Sequence, residues 1–97
     1  MQIGGITFEW DPQKAQQNEL KHRVRFVEAA TVFADPLARY FEDREHSVSE
    51  LRLLVFGHSA QGRLLVVSFT ERRDRIRIIS ARRMDAGERQ EYEETIQ

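Results

Sequence analysis

The spacing of apolar residues along this chain switches between two periods, and each switch predicts an element boundary. In ITFEW, Phe8 and Trp10 fall on one side and Thr7 and Glu9 on the other, which predicts a short strand over Ile6–Trp10. Asp11-Pro12 then reads as a helix start, since aspartate caps free N–H groups and proline fits the first helical position. The helix, 12–22, offers a core little more than Ala15 and Leu20, so it needs support from its surroundings. A firmer helix follows. Phe26, Ala29, Ala30 and Phe33 form one stripe at i, i+3, i+4 and i+7, ending before Asp35-Pro36.

From there the period is two. Strands are expected over Ala38–Asp43, Glu50–His58, Arg63–Glu71 and Arg75–Arg82, and the short links Ser59–Gly62 and Arg72–Asp74 join antiparallel neighbours. Asp85 opens a last helix, with Glu88 in the capping-box position and Tyr92 and Ile96 on a shared face. The order β-α-α-β-β-β-β-α predicts an α+β fold: an antiparallel sheet of about four strands with helices packed on one face.

Alternation also assigns faces. Glu50, Arg52, Leu54 and Phe56 point one way and the apolar Leu51, Leu53 and Val55 the other, toward the helices. With Ile76 and Ile78 also facing the helices, Arg77 is expected on the open face beside Glu50 and Arg52. In this reading Arg83 shares the face of Arg77, and Arg82 takes the opposite one.

Composition adds charge to this picture. The 97 residues make one domain, 1–97, with no cysteine and a formal charge of −1. No apolar run is long enough to span a bilayer, and the N-terminus lacks the features of a secretion signal, so a cytoplasmic protein is expected. The charges are sorted along the chain. Six arginines stand between residues 72 and 83, whereas residues 84–97 carry five acids against Arg89 alone. With thirteen arginines to two lysines, the cations are of the kind suited to bidentate contact with phosphate or carboxylate. His22, His46 and His58 have no metal-ligand spacing, and no P-loop, dinucleotide fingerprint or GxSxG occurs. Spacing alone reads the arginines first as the solvated face of a sheet.

The segments FEWDPQKAQQNELKH, VRFVEAATVFADP, EDREHSVSELRLLVFGHSAQGRLLVVSFTER and RIRIISARRMDAGERQEYEE together resemble the BrnT family of bacterial toxins. The resemblance runs from Phe8 to Glu94, through the FEWD opening, the KH pair, HS-x-x-E-x-R, GR-L-V-V and I-S-A-R-R…ER-x-x-Y. Arg23 and Arg25 depart from it, standing where relatives often carry a glycine and a small capping residue. The resemblance implies a RelE-like fold and a metal-independent endoribonuclease that arrests translation, with no cofactor. It further implies a BrnA-type antitoxin with a ribbon-helix-helix domain, the pair together binding operator DNA.

Carried over by motif, Glu50 is the candidate base, and Arg63 and Arg77 are candidates for stabilising the phosphorane. Lys21 is a candidate for holding phosphate or assisting proton transfer. Trp10 is the candidate stacking platform, Arg52, Arg82 and Arg83 are candidate RNA contacts, and His22 and His46 are lesser acid–base candidates. A non-catalytic RNA- or protein-binding module on the same fold is the other function class left open.

Overall fold

The computed structural model describes residues 1–96. Its strands are β1 (Gln2–Ile3), β2 (Ile6–Glu9), β3 (Arg39–Glu42), β4 (Leu53–His58), β5 (Leu64–Arg72) and β6 (Arg75–Arg83). Its helices are α1 (Pro12–His22), α2 (Phe26–Thr31) and α3 (Ala86–Thr95). The strands form one sheet in the order β1-β2-β6-β5-β4-β3, so the sheet has six strands where about four were expected. The extra edge comes from Gly4-Gly5, both at positive φ, which turn β1 back on β2. The sheet is also mixed, because β2 runs parallel to β6. The chain leaves β2 through α1 and α2 for β3 at the far edge of the sheet, and returns by the antiparallel strands β4 and β5 to set β6 beside β2.

Asp11 caps α1 as its position predicts, with its side chain accepting from the backbone N–H of Gln13 and Lys14. The apolar support expected from Leu20 is missing, for Leu20 is 70% exposed. Asn18 anchors the helix instead. Its buried amide donates to the carbonyls of Val24 and Ala81 at 2.9 and 2.8 Å and accepts from the Ala81 N–H at 3.0 Å. The helix ends at Arg23, which adopts the left-handed conformation (φ 58°) without the help of glycine.

The stripe on α2 meets the sheet as expected. Phe26, Ala29 and Ala30 are buried with Phe8, Val55, Leu65, Val67, Phe69 and Ile78, and Phe33 stacks against both Phe8 and Phe69. Truncating a buried ring such as Phe26 to alanine costs about 3–5 kcal/mol.

Three features overturn the expected face assignments. First, Ser68 pairs with Ser80 but Phe69 pairs with Ile78, so Ile79 is an extra residue in β6. This bulge reverses the alternation beyond it. Ala81 therefore joins the core, Arg82 turns to the open face and Arg83 to the other side. Second, Glu50 and Arg52 precede β4 and lie outside its alternation. The Ser47 hydroxyl donates to the Asp43 carbonyl at 2.6 Å and accepts from the Arg52 N–H at 3.0 Å, closing residues 43–52 into a loop. Third, the helices do not share one face. Helices α1 and α2 cover one side of the sheet. Helix α3 crosses the strand ends on the other, with Glu88, Glu91, Tyr92 and Thr95 facing Arg39, Phe41, Leu54 and Phe56.

Candidate nucleic-acid site on the open face

On the face of β4, β5 and β6 away from α1 and α2, residues of the loop 43–52 stand over the sheet. Beneath the loop lies a recess of about 320 Å³, floored by Leu54, Val66, Ser68 and Ser80 and walled by Asp43, His46, Arg52 and Arg82. His46 is fixed by Asp43, three residues before it: Nδ1 stands 3.1 and 3.0 Å from the two carboxylate oxygens. An Nδ1–H donated to Asp43 leaves Nε2 with its lone pair facing outward, the tautomer a proton acceptor needs. The Arg52 side chain has no hydrogen-bond or ion-pair partner among the described residues, so its five donors are available to an anion.

Arg82 is held from α3. It forks onto Glu88, Nη1 to Oε1 at 2.7 Å and Nη2 to Oε2 at 2.9 Å. Glu88 also accepts from the Asp85 N–H at 2.9 Å while Asp85 caps Glu88 in return, so the capping box sets the position of the arginine. The hydrogen bonds from Arg82 hold the Glu88 carboxyl below the usual carboxylate range, against the opposing effect of burial. The same pair raises Arg82 above its ordinary value.

Glu50 borders an adjoining recess with His46 and Arg52, where it accepts from Arg72 at 3.2 Å. Arg77 does emerge on the open face, but its Nη1 is bonded to Glu9 at 2.8 Å, near the β2 side of the sheet. The hydrogen bond from Arg77 lowers the pKa of Glu9. Arg63 lies elsewhere. It donates from Nε to Glu28 at 2.8 Å, makes a second, very short contact to that carboxylate through Nη2, and reaches the Arg23 carbonyl at 3.1 Å, all on the helix-covered side.

Arg63 and Arg77 are therefore on opposite faces. Thr70 is the neighbour of Arg77, seven positions along the chain from Arg63, a strand length of about 23 Å. Lys21 and His22 end α1, also on the covered side, the first exposed and the second half-buried. Trp10 is half-buried against the core, edge-on to Phe26 at 6.0 Å between centroids. Arg83 is exposed on the side away from the recess. Of the sequence candidates, the structure gathers His46, Glu50, Arg52 and Arg82; it leaves Arg63, Arg77, Lys21, His22, Trp10 and Arg83 apart from them.

Asp43, Ser47 and Asn18 are functional or anchoring residues that the sequence candidates do not include. The D-x-x-H spacing of Asp43 and His46 was a usable signal for a carboxylate orienting an imidazole. Asn18 left none, because its partner Ala81 is sixty-three residues away. Among the described residues there is no group of three His, Asp or Glu side chains able to hold a metal ion, and no helix is long and apolar enough to cross a membrane.

The sequence model of a family described as the ribonuclease toxin, BrnT, of type II toxin–antitoxin systems matches residues 10–88. No curated protein matches the chain. The crystal structure of the Brucella abortus ribonuclease toxin BrnT is similar in fold, with a TM-score of 0.64 and 22% identity, covering 82% of this chain and 97% of that one.

Proposed function

The chain belongs to the BrnT family of ribonuclease toxins of type II toxin–antitoxin systems, and from that premise we propose that it cleaves RNA, without a metal ion, in the open-face recess. The observation that carries this reading is the convergence there of an Asp43-oriented His46, an Arg52 without a side-chain partner among the described residues, and the held fork of Arg82. In the proposed reaction a ribose 2′-oxygen attacks the neighbouring phosphorus and the bond to the 5′-oxygen breaks. The departing 5′-oxygen takes a proton from solvent water, and the products are a 2′,3′-cyclic phosphate and a 5′-hydroxyl. His46 Nε2 takes the 2′-hydroxyl proton, with Glu50 as the second proton-accepting group at the mouth. Arg52 and Arg82 stabilise the charge that builds on the phosphorane. The fold is read as RelE-like, and the consequence of cleavage in the cytoplasm is arrest of translation.

The same face offers a place for the antitoxin that a type II system implies. Phe41 (55% exposed), Leu54 and Phe56 line an apolar groove beside the recess, and among the described residues no strand pairs with the outer edge of β3. A BrnA-type ribbon-helix-helix partner seated there covers the recess, and the complex binds the operator DNA. Two assays test the reading: cleavage of a labelled RNA in EDTA, and co-elution of the chain with its antitoxin in gel filtration. Normal growth of cells making soluble protein without the antitoxin contradicts it.

A further inference from the structure

A second cluster of cations lies outside the recess, at the ends of β4, β5 and β6. His58, Arg63, Arg83 and Arg89 surround a concavity of about 460 Å³, and Glu93 is the one carboxylate among its lining residues. Helix α3 separates this concavity from the open-face recess, turning Glu88 toward one and Arg89 and Glu93 toward the other. The bulge at Ile79 does the same for β6, sending Arg82 to the first and Arg83 to the second.

Arg63 and His58 are held from behind by buried carboxylates. Glu28, with 4% of its side chain exposed, accepts from Arg63 and from the Ser59 hydroxyl. Asp35, 8% exposed, accepts from the backbone N–H of His58 at 2.7 Å and lies 3.2 Å from His58 Nδ1. Gly57 makes room for that carboxylate, since a Cβ there would come within 2.9 Å of Asp35 Oδ2. Arg63 and His58 are thus fixed before any ligand arrives, while Arg63 Nη1 and His58 Nε2 have no partner among the described residues. Arg89 gives Nε to Glu93 at 2.9 Å and keeps its terminal nitrogens. The Arg83 side chain has no hydrogen bond or ion pair among the described residues and is exposed. Arginines that only solubilise a sheet edge need no buried carboxylates behind their neighbours. A set of donors ordered in advance loses less entropy on capturing an anion.

We infer that this concavity is a second phosphate-binding site, which takes a backbone phosphate of the RNA away from the point of cleavage. The inference rests on the RNA-cleaving reading above. The guanidinium groups suit the phosphate. His58, with Nδ1–H committed to Asp35, offers an acceptor that a ribose 2′-hydroxyl fits and a free anion does not. The site holds the strand and takes no part in the bond change.

The test uses a short single-stranded RNA with native riboses, bound to protein carrying His46→Ala so that it stays uncut, and measures its affinity across a salt series. Each phosphate contact contributes about 0.7 to the slope of log K against log salt for single strands. Arg83→Ala should lower the slope by about that amount and weaken binding at low salt whatever the sequence, with Arg83→Glu weakening it further. Single-turnover cleavage by Arg83→Ala should need a higher RNA concentration to reach half its maximal rate than the wild type needs. Slopes and affinities in both variants equal to those with Arg83 intact overturn the inference while leaving the cleavage reading intact. An Arg83-dependent slope in a protein whose wild type cuts no RNA sinks the cleavage reading and keeps the site. Inorganic phosphate at matched ionic strength is the last arm. If it erases the Arg83-dependent part of binding, the concavity is a site for the free anion and the RNA assignment falls.

Discussion

His46 and Asp43 form a carboxylate–imidazole pair in which Nδ1 lies 3.1 and 3.0 Å from the two carboxylate oxygens. The carboxylate is largely buried and the ring largely exposed, with 14% and 60% of their side chains accessible. A buried partner that fixes an exposed ring is an arrangement for orientation. His46→Ala should lower RNA cleavage by about 10²-fold or more, the scale of losing a positioned proton carrier. Asp43→Asn should lose part of that, because an amide permits the wrong tautomer. A pH–rate profile in which both variants keep every limb of the wild-type curve contradicts the pairing.

The Arg63–Glu28 pair is expected to be structural as well as ligand-facing. Removing Arg63 leaves the Glu28 carboxylate buried and unpaired, an outcome that costs about 3 kcal/mol. In a domain of this size that is a drop in Tm of roughly 12–20 °C. Replacing both residues by apolar ones should recover most of the loss, since neither is then left as an uncompensated charge. Thermal melting of the single and double variants checks this; additive losses argue against the coupling.

Acid should unfold the protein through a small set of carboxylates. Hydrogen bonds from Arg63 hold Glu28 below its ordinary 4.5, and those from Arg82 do the same for Glu88. Burial pushes Asp35 up, but the His58 and Leu37 N–H groups outweigh it, so this group too lies below its ordinary 3.8. Between the folded and ordinary values the unfolded chain binds more protons than the folded one. The stabilisation is therefore complete above the ordinary values and is lost as pH falls through the folded ones. Urea unfolding from neutral pH downward should show a plateau and then a decline beginning near these ordinary values. In Glu28→Gln the plateau should be lower and the decline shallower.

Arg23 ends α1 at φ 58°, a conformation that costs an L-residue with a side chain about 1–2 kcal/mol relative to glycine. Its carbonyl accepts from Arg63 and its N–H donates to the Glu19 carbonyl, both of which glycine preserves. Arg23→Gly should raise the melting temperature, with RNA cleavage unchanged. A lower melting temperature would mean that the Arg23 side chain contributes more than its backbone strain costs.

Local chemistry was readable from the sequence. The caps at Asp11 and Asp85 and the Phe26 stripe act within a turn or two of themselves, and the structure has them where spacing placed them. Alternation was readable only as far as it stayed unbroken. One extra residue, Ile79, exchanges the faces of Arg82 and Arg83, and a serine-closed loop removes Glu50 and Arg52 from their expected strand. The partners of Arg63 and Arg77 are thirty-five and sixty-eight residues away, and no periodicity carries such pairings. The parallel join of β2 to β6 was hidden for the same reason. Of the candidate site, Glu50, Arg52, Arg82 and the lesser candidate His46 were legible by motif. The carboxylate that orients His46 became visible only in three dimensions.

The central claim is that RNA is cut in the open-face recess. The most direct measurement is the cleavage of one end-labelled RNA in EDTA by the wild type, Arg52→Ala and His46→Ala, each checked for folding by thermal melting. The wild type should leave 5′-hydroxyl ends, and the two variants should melt like it but cut slower by about 10²-fold or more. Folded variants that cut at the wild-type rate would contradict it.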